Sequence, residues 1–126
     1  METNEITRRI LKAAYTVHSG LGPGLLESAY ENCLAYELKE EGLNVETQKP
    51  IPLEYKDVRM ECGYRLDVLV ENEIVVEIKA TDGINDVHLA QTLTYLKLLD
   101  KKIGLILNFN VTSLKKGIKR VINSNI

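Results

Sequence analysis

Two hydrophobic periods alternate along this chain, and the points where one gives way to the other divide it into elements. Over about residues 4–18 the apolar positions Ile6, Ile10, Ala14 and Val17 fall on one helical stripe. Ser19-Gly20-Leu21-Gly22-Pro23-Gly24 then interrupts it, because three glycines and a proline in six residues do not continue a helix. A second helix is predicted over 25–41, with Leu26, Tyr30, Cys33 and Leu34 as its core face and Gly42 just past its end. Residues 45–48 and 51–55 are weak strand candidates separated by Pro50, which argues for a sheet edge or a bend. Residues 58–62 are read as the beginning of the strand that holds Asp67. The runs 64–70 and 74–80 are short, rich in β-branched residues and separated by Glu71-Asn72-Glu73, so they read as a hairpin. After the turn Thr81-Asp82-Gly83, a third helix over 85–99 carries Val87, Ala90, Leu93, Leu96 and Leu98. Residues 103–108 read as a short buried strand. Ser113 is placed to N-cap a last helix running to Val121, with Leu114, Ile118, Val121 and Ile122 inward.

A strand, a helix and a strand in succession from residue 74 to residue 108 make a crossover unit. The expected fold is therefore α/β, a central mixed β-sheet flanked by helices. The pattern shows no repeats or linker, and 126 residues suit one domain spanning 1–126. A chain of this length buries roughly two-thirds of its unfolded surface.

Composition changes the picture little: 44% apolar and 27% charged is ordinary for a globular chain. No apolar stretch approaches the roughly 20 residues that span a bilayer. The polar start Met1-Glu2-Thr3-Asn4-Glu5 has no signal-peptide character, so a cytoplasmic location and no membrane partner are expected. Cys33 and Cys62 stand alone and far apart, which reads as two reduced core thiols. Charge is more informative. The net value of −2 conceals thirteen acidic against five basic residues over 27–77, and seven basic residues against Asp100 alone over 97–126. An acidic centre beside a basic end is compatible with an anionic partner held near a cation site. The plainer reading is that Lys115, Lys116, Lys119 and Arg120 form the solvated face of the last helix.

The candidate chemistry lies in the hairpin. Taking an isolated charge out of water costs roughly several kcal/mol, so a buried strand should carry none. Yet Asp67 sits in one apolar run, and Glu77 and Lys79 in the next. Glu77 and Lys79 are two apart and share a face, leaving Val76, Ile78 and Ala80 to the other. Asp67 joins them if it lies opposite Glu77, the register in which Val70 pairs with Ile74. Two carboxylates and an ammonium then converge on one spot, which costs stability unless a metal ion or mutual pairing offsets it. Glu27 shares a helical line with Tyr30 and Leu34, although a first-turn carboxylate also simply suits the helix dipole. His88, Gln91 and Tyr95 form a polar line on the third helix. His18 and His88 each read as structural histidines.

Taken together, these residues resemble a known pattern. Asp67 followed by Glu77-Ile78-Lys79 resembles the Asp…Glu-x-Lys core of the PD-(D/E)XK nuclease superfamily. Gln91-Thr92-Leu93-Thr94-Tyr95 is similar to the Gln-x-x-x-Tyr motif of its RecB-like branch, and Gly24-Leu25-Leu26-Glu27-Ser28-Ala29-Tyr30 resembles the signature of the GxxExxY protein family. The likeness extends over 14–121 in the same element order. Leu66 stands where the superfamily's name has proline. The resemblance implies a restriction-endonuclease-like core and metal-dependent hydrolysis of phosphodiester bonds in DNA or RNA. It implies Asp67, Glu77 and the Ile78 carbonyl as ligands of Mg²⁺ or Mn²⁺, with Glu27 as an additional ligand. It further implies that Lys79 holds the attacking water and that Gln91 and Tyr95 orient the reacting groups. The basic end and the weak first strand would contact a nucleic-acid backbone. The alternative is a catalytically inactive nucleic-acid- or protein-binding module that retains the fold. A third reading is a structural domain in which Lys79 is consumed in ion pairs with Glu77 and Asp67.

Overall fold

The computed structural model describes residues 1–125. Helix α1 (Thr3–Leu21) turns Ile6, Ile10, Ala13, Ala14 and Val17 inward. It continues through Ser19 and Gly20 and stops at Gly22, whose φ of 69° lies in the left-handed region that glycine tolerates. Helix α2 (Glu27–Glu40) buries Tyr30, Leu34, Ala35 and Leu38. Seven strands follow among the described residues: β1 (Val45–Pro50), β2 (Leu53–Tyr55), β3 (Val58–Met60), β4 (Arg65–Val70), β5 (Ile74–Lys79), β6 (Ile103–Asn108) and β7 (Ile118–Ile122). Helix α3 (Asp86–Leu99) lies between β5 and β6. Its N-terminus is closed reciprocally: Asn85 Oδ1 accepts from the His88 N–H, and His88 Nδ1 accepts from the Asn85 N–H.

Five strands form one sheet in the order β1-β4-β5-β6-β7. The β5–β6 pair is parallel, joined through α3, and the other three pairs are antiparallel. The sheet is thus mixed, with β1 at one edge, where Pro50 costs no ladder bond on its open side. Helices α1 and α2 cover one face, packing on Val68, Val70, Ile74, Val76, Ile78, Leu105 and Leu107. Helix α3 covers the other with Tyr95 and Leu96 against Leu66, Leu69, Val75 and Ile106. Strands buried on both faces read as continuous apolar runs, which is why β5 and β6 carry so little polar alternation.

The structure departs from the sequence expectations in two elements and at Cys62. Residues 58–62 do not open the strand that holds Asp67. Instead β2 and β3 form a small hairpin of their own, with the Ile51 N–H donating to the Tyr64 carbonyl at its base. The last helix is likewise absent among the described residues. Leu114–Gly117 make one 3-10 turn, and Ile118–Ile122 pair antiparallel with β6 as the second edge strand. The spacing of Leu114, Ile118, Val121 and Ile122 suits a helix, but three of these four are β-branched and an open edge of β6 was available to them. Gly117 makes the turn possible, since a Cβ there would collide with the Asn108 carbonyl oxygen. Gly117→Ala is accordingly expected to cost about 1–3 kcal/mol, read as a lower urea midpoint. Cys33 is half-buried and Cys62 exposed; both are free thiols, but Cys62 is not a core residue.

Candidate active site

The β4–β5 hairpin pairs Val70 with Ile74, Leu69 with Val75 and Val68 with Val76, and there the ladder stops. On the other side of β4, pairing with β1 skips the same place: Thr47 pairs with Val68 and Lys49 with Leu66. Asp67 belongs to neither ladder. Gln48, opposite it on β1, has a φ of 51°, a left-handed conformation uncommon for a non-glycine residue. The strands therefore part around Asp67, and carboxylates take the place of backbone acceptors. The Asp67 N–H donates to Glu77 Oε2 at 3.0 Å, and the Ile78 N–H donates to Asp67 Oδ2 at 2.8 Å. Each carboxylate thus closes the backbone gap left by the other strand's residue. In an extended strand the N–H and C=O of one residue point to the same side, so the Ile78 carbonyl faces this gap as well.

Burial sets the electrostatics. Glu77 is 4% exposed, and its carboxyl is pushed up to about 8, by burial first and by the Asp67 charge second. The Asp67 N–H and the Lys79 charge work against that rise without overcoming it. Asp67 is raised as well, chiefly by burial, against the opposing Ile78 N–H and the Lys79 charge. Two acids both raised, side by side, form a site with a surplus of negative potential. Lys79, two residues beyond Glu77 on the same strand face, does not cancel it. Among the described residues it forms no ion pair with either carboxylate. The structural reading, in which Lys79 is consumed by those carboxylates, therefore lacks its contacts.

A third carboxylate that the sequence reading missed stands nearby. Glu31, one turn beyond Glu27 on α2, is half-buried and raised by burial and then by the Asp67 charge. The Gln48 amide donates to Glu31 Oε1 at 2.8 Å and also eases Asp67 downward, so the strained β1 residue ties α2 to β4. Glu27 itself is exposed in the first turn of α2 and borders a recess with Leu25, Leu26, Ser28 and Ala80. It is not part of the Asp67–Glu77 pair. Tyr95 is 7% exposed, and its hydroxyl is raised by burial, then by the Glu77 charge, with Tyr64 and Asp67 adding to it. Gln91, one turn before it, is exposed on the same flank of α3.

Other conspicuous residues are structural supports. Tyr30, fully buried, stacks on Phe109 with ring centroids 4.6 Å apart. Its hydroxyl donates to the Gly22 carbonyl at 2.6 Å and accepts from the Leu25 N–H at 3.1 Å. The tyrosine that ends the Gly-x-x-Glu-x-x-Tyr pattern therefore pins the loop that precedes α2. Asn108 is buried at the end of β6. It accepts from the Thr81 N–H and donates to the Thr81 carbonyl, both at 3.1 Å, while the Phe109 N–H donates to the Lys79 carbonyl. The chain just after Lys79 is thereby clamped, which fixes where the lysine leaves the sheet. His18 binds the Val111 carbonyl, and His88 belongs to the α3 cap.

Asp67, Glu77 and the Ile78 carbonyl together offer hard oxygen donors and excess negative charge, which suits Mg²⁺ or Mn²⁺. Among the described residues no group of three or more His, Cys, Asp or Glu side chains is gathered closely enough to hold an ion unaided. A donor set of two carboxylates completed by water fits Mg²⁺ in particular, which sheds its water reluctantly. No helix among the described residues is long and apolar enough to cross a membrane. The family model described as the PD-(D/E)XK nuclease superfamily matches residues 4–121. No curated protein and no solved structure matches the chain.

Proposed function

We propose, since the chain belongs to the PD-(D/E)XK nuclease superfamily, that it is a metal-dependent nuclease that hydrolyses phosphodiester bonds of DNA or RNA. Membership alone does not carry activity. The observation that supports turnover is the gap at Asp67, where the buried Glu77 and half-buried Asp67 carboxylates each accept a backbone N–H from the opposite strand while Lys79 stays unpaired beside them among the described residues. In this reading Asp67, Glu77 and the Ile78 carbonyl hold Mg²⁺ or Mn²⁺. The bound ion would supply Lewis-acid polarisation of the phosphoryl oxygen and a water of lowered pKa. Lys79 holds the attacking water and balances the charge that develops on the phosphorus oxygens. Tyr95 and Gln91 orient that water and the phosphate. Glu27, exposed at the rim, reaches the ion only through water, and Glu31 is the carboxylate better placed to tune it. The Gly24–Tyr30 and Gln91–Tyr95 motifs support placing the chain in the GxxExxY family and the RecB-like branch. We further read residues 1–126 as one domain, cytoplasmic in keeping with its free thiols.

The basic end has a place in this account. Because β7 runs antiparallel to β6, Lys115, Lys116 and Lys119 lie toward the end of the sheet where Lys79 and Asn108 lie. They would meet phosphates flanking the one being cut. Replacing all three with Gln is expected to weaken nucleic-acid binding and to reduce the slope of log affinity against log salt by about 1 per lost contact. Binding titrations at several salt concentrations check this. The proposal as a whole is tested by incubating the chain with single- and double-stranded DNA and RNA, with Mg²⁺ and with Mn²⁺. Cleavage lost in Asp67→Ala supports it, and no cleavage of any substrate by the wild type overturns it.

A further inference from the structure

Against the ring of Tyr95 lies a recess of about 240 Å³ whose lining the proposed chemistry does not fully use. Its walls are Leu53, Leu98 and the rings of Tyr64 and Tyr95, and its rim carries the Gln91 amide and the Thr94 hydroxyl. The two rings stand 6.3 Å apart at 53°, so they make an angled wall and floor rather than a closed stack. Tyr64 is 47% exposed, a large cost for an aromatic ring that has nothing further to cover. Among the described residues neither the Tyr64 hydroxyl nor the Gln91 amide has a hydrogen-bond partner, and Thr94 uses its hydroxyl only to donate to the Ala90 carbonyl. Tyr64 immediately precedes β4, three residues before Asp67. The hydroxyl end of Tyr95 lies in the fields of Glu77 and Asp67. Tyr95 is thus common to the recess and to the surroundings of the two carboxylates.

We propose that this recess is a base-stacking subsite that receives one unpaired nucleobase of a single-stranded nucleic acid whose backbone lies at Asp67 and Glu77. The inference rests on the reading of that site as phosphodiester-cleaving and adds its substrate class. Tyr64 offers a ring face, Leu53 and Leu98 an apolar surround, and Gln91 and Thr94 donors and acceptors for a base edge. In a duplex the base faces are covered by their neighbours and the pairing edges are occupied, so only an unpaired or extruded base can enter. Aromatic platforms beside a charged backbone track are the general means by which proteins hold single strands.

The test uses the full chain with Ca²⁺ in place of Mg²⁺, so that affinity is read without turnover, by fluorescence anisotropy of labelled oligonucleotides. The wild type is expected to bind a single strand at least tenfold more tightly than a blunt duplex of the same length. Tyr64→Ala should lose about tenfold for the single strand, Tyr64→Phe should retain affinity, and Gln91→Ala should lose less than Tyr64→Ala. A single strand with one abasic site in the bound register should bind the wild type as weakly as Tyr64→Ala binds the intact strand, with no further loss in the combination. Equal affinity for duplex, an unaffected Tyr64→Ala, or no binding of single strands overturns the subsite. Failure of the nuclease reading is distinguishable: it shows as intact single-strand binding without cleavage under Mg²⁺ or Mn²⁺. Failure of the subsite alone shows as cleavage that Tyr64→Ala leaves at the wild-type rate.

Discussion

Lys79→Ala is expected to lose phosphodiester cleavage by about 10²–10³-fold while still binding the metal ion, because in the proposed mechanism the lysine stabilises charge that appears only as the bond breaks. Its position argues for that separation. Lys79 sits at the end of β5, on the face shared with Glu77, and the Asn108 clamp on Thr81 holds the chain immediately beyond it. It forms no ion pair with Asp67 or Glu77 among the described residues, so removing it leaves the donor set in place. Cation affinity should hold or rise, since a competing positive charge is gone. Parallel cleavage assays and metal titrations on this variant check both halves. A Lys79→Ala protein that cleaves at the wild-type rate removes Lys79 from the mechanism.

The second large effect is on stability. In the metal-free protein the Glu77 carboxyl keeps its proton up to about pH 8, whereas in the unfolded chain it ionises near the ordinary carboxylate value of 4.5. Between these two values the folded state binds the extra proton, so stability falls as pH rises, by about 1.4 kcal/mol per pH unit for one linked proton. Below pH 4.5 both states hold the proton, and above pH 8 neither does, so the slope vanishes at each end. Asp67 is raised too, and the two titrate as a pair, which spreads the fall over a wider range. Glu77→Gln keeps a neutral acceptor for the Asp67 N–H and should flatten the profile, giving a metal-free protein more stable than wild type at pH 8. Adding Mg²⁺ or Mn²⁺ reverses the ranking. At about 100 times its dissociation constant the ion should stabilise the wild type by about 2.7 kcal/mol. Glu77→Gln should lose most of that gain. Urea midpoints from pH 5 to 9, with chelator and with metal, check both statements.

The hairpin was readable because a strand's side chains alternate with a period of 2. Once Glu71-Asn72-Glu73 is taken as the loop, Val70 must meet Ile74, and Val68 and Val76 follow with it. The crossover from β5 through α3 to β6 was readable for a similar reason, since two apolar runs flanking an apolar-faced helix have few other ways to bury themselves. What no pattern could show is the parting of strands at Asp67. It depends on two side chains standing in for backbone acceptors and on the left-handed conformation of Gln48, neither of which changes the hydrophobic period. Glu31 was hidden by its neighbour. Glu27 belongs to the Gly-x-x-Glu-x-x-Tyr signature, but Glu31, one turn further along α2, is the carboxylate raised by the Asp67 charge. The last strand was hidden by ambiguity, since Leu114, Ile118 and Val121 satisfy a helical spacing. Contact between Gly117 and the Asn108 carbonyl, a tertiary fact, is what turns the chain back along β6.

The central claim is that Asp67 and Glu77 are held together to bind a divalent cation. Isothermal calorimetry of Mn²⁺ or Mg²⁺ into the metal-free protein and into Asp67→Ala tests it before any substrate is known. The account predicts saturable binding in the wild type, with proton release that diminishes as pH rises past 8, and little or no binding in Asp67→Ala. Absence of binding in the wild type, or equal binding in Asp67→Ala, would contradict it.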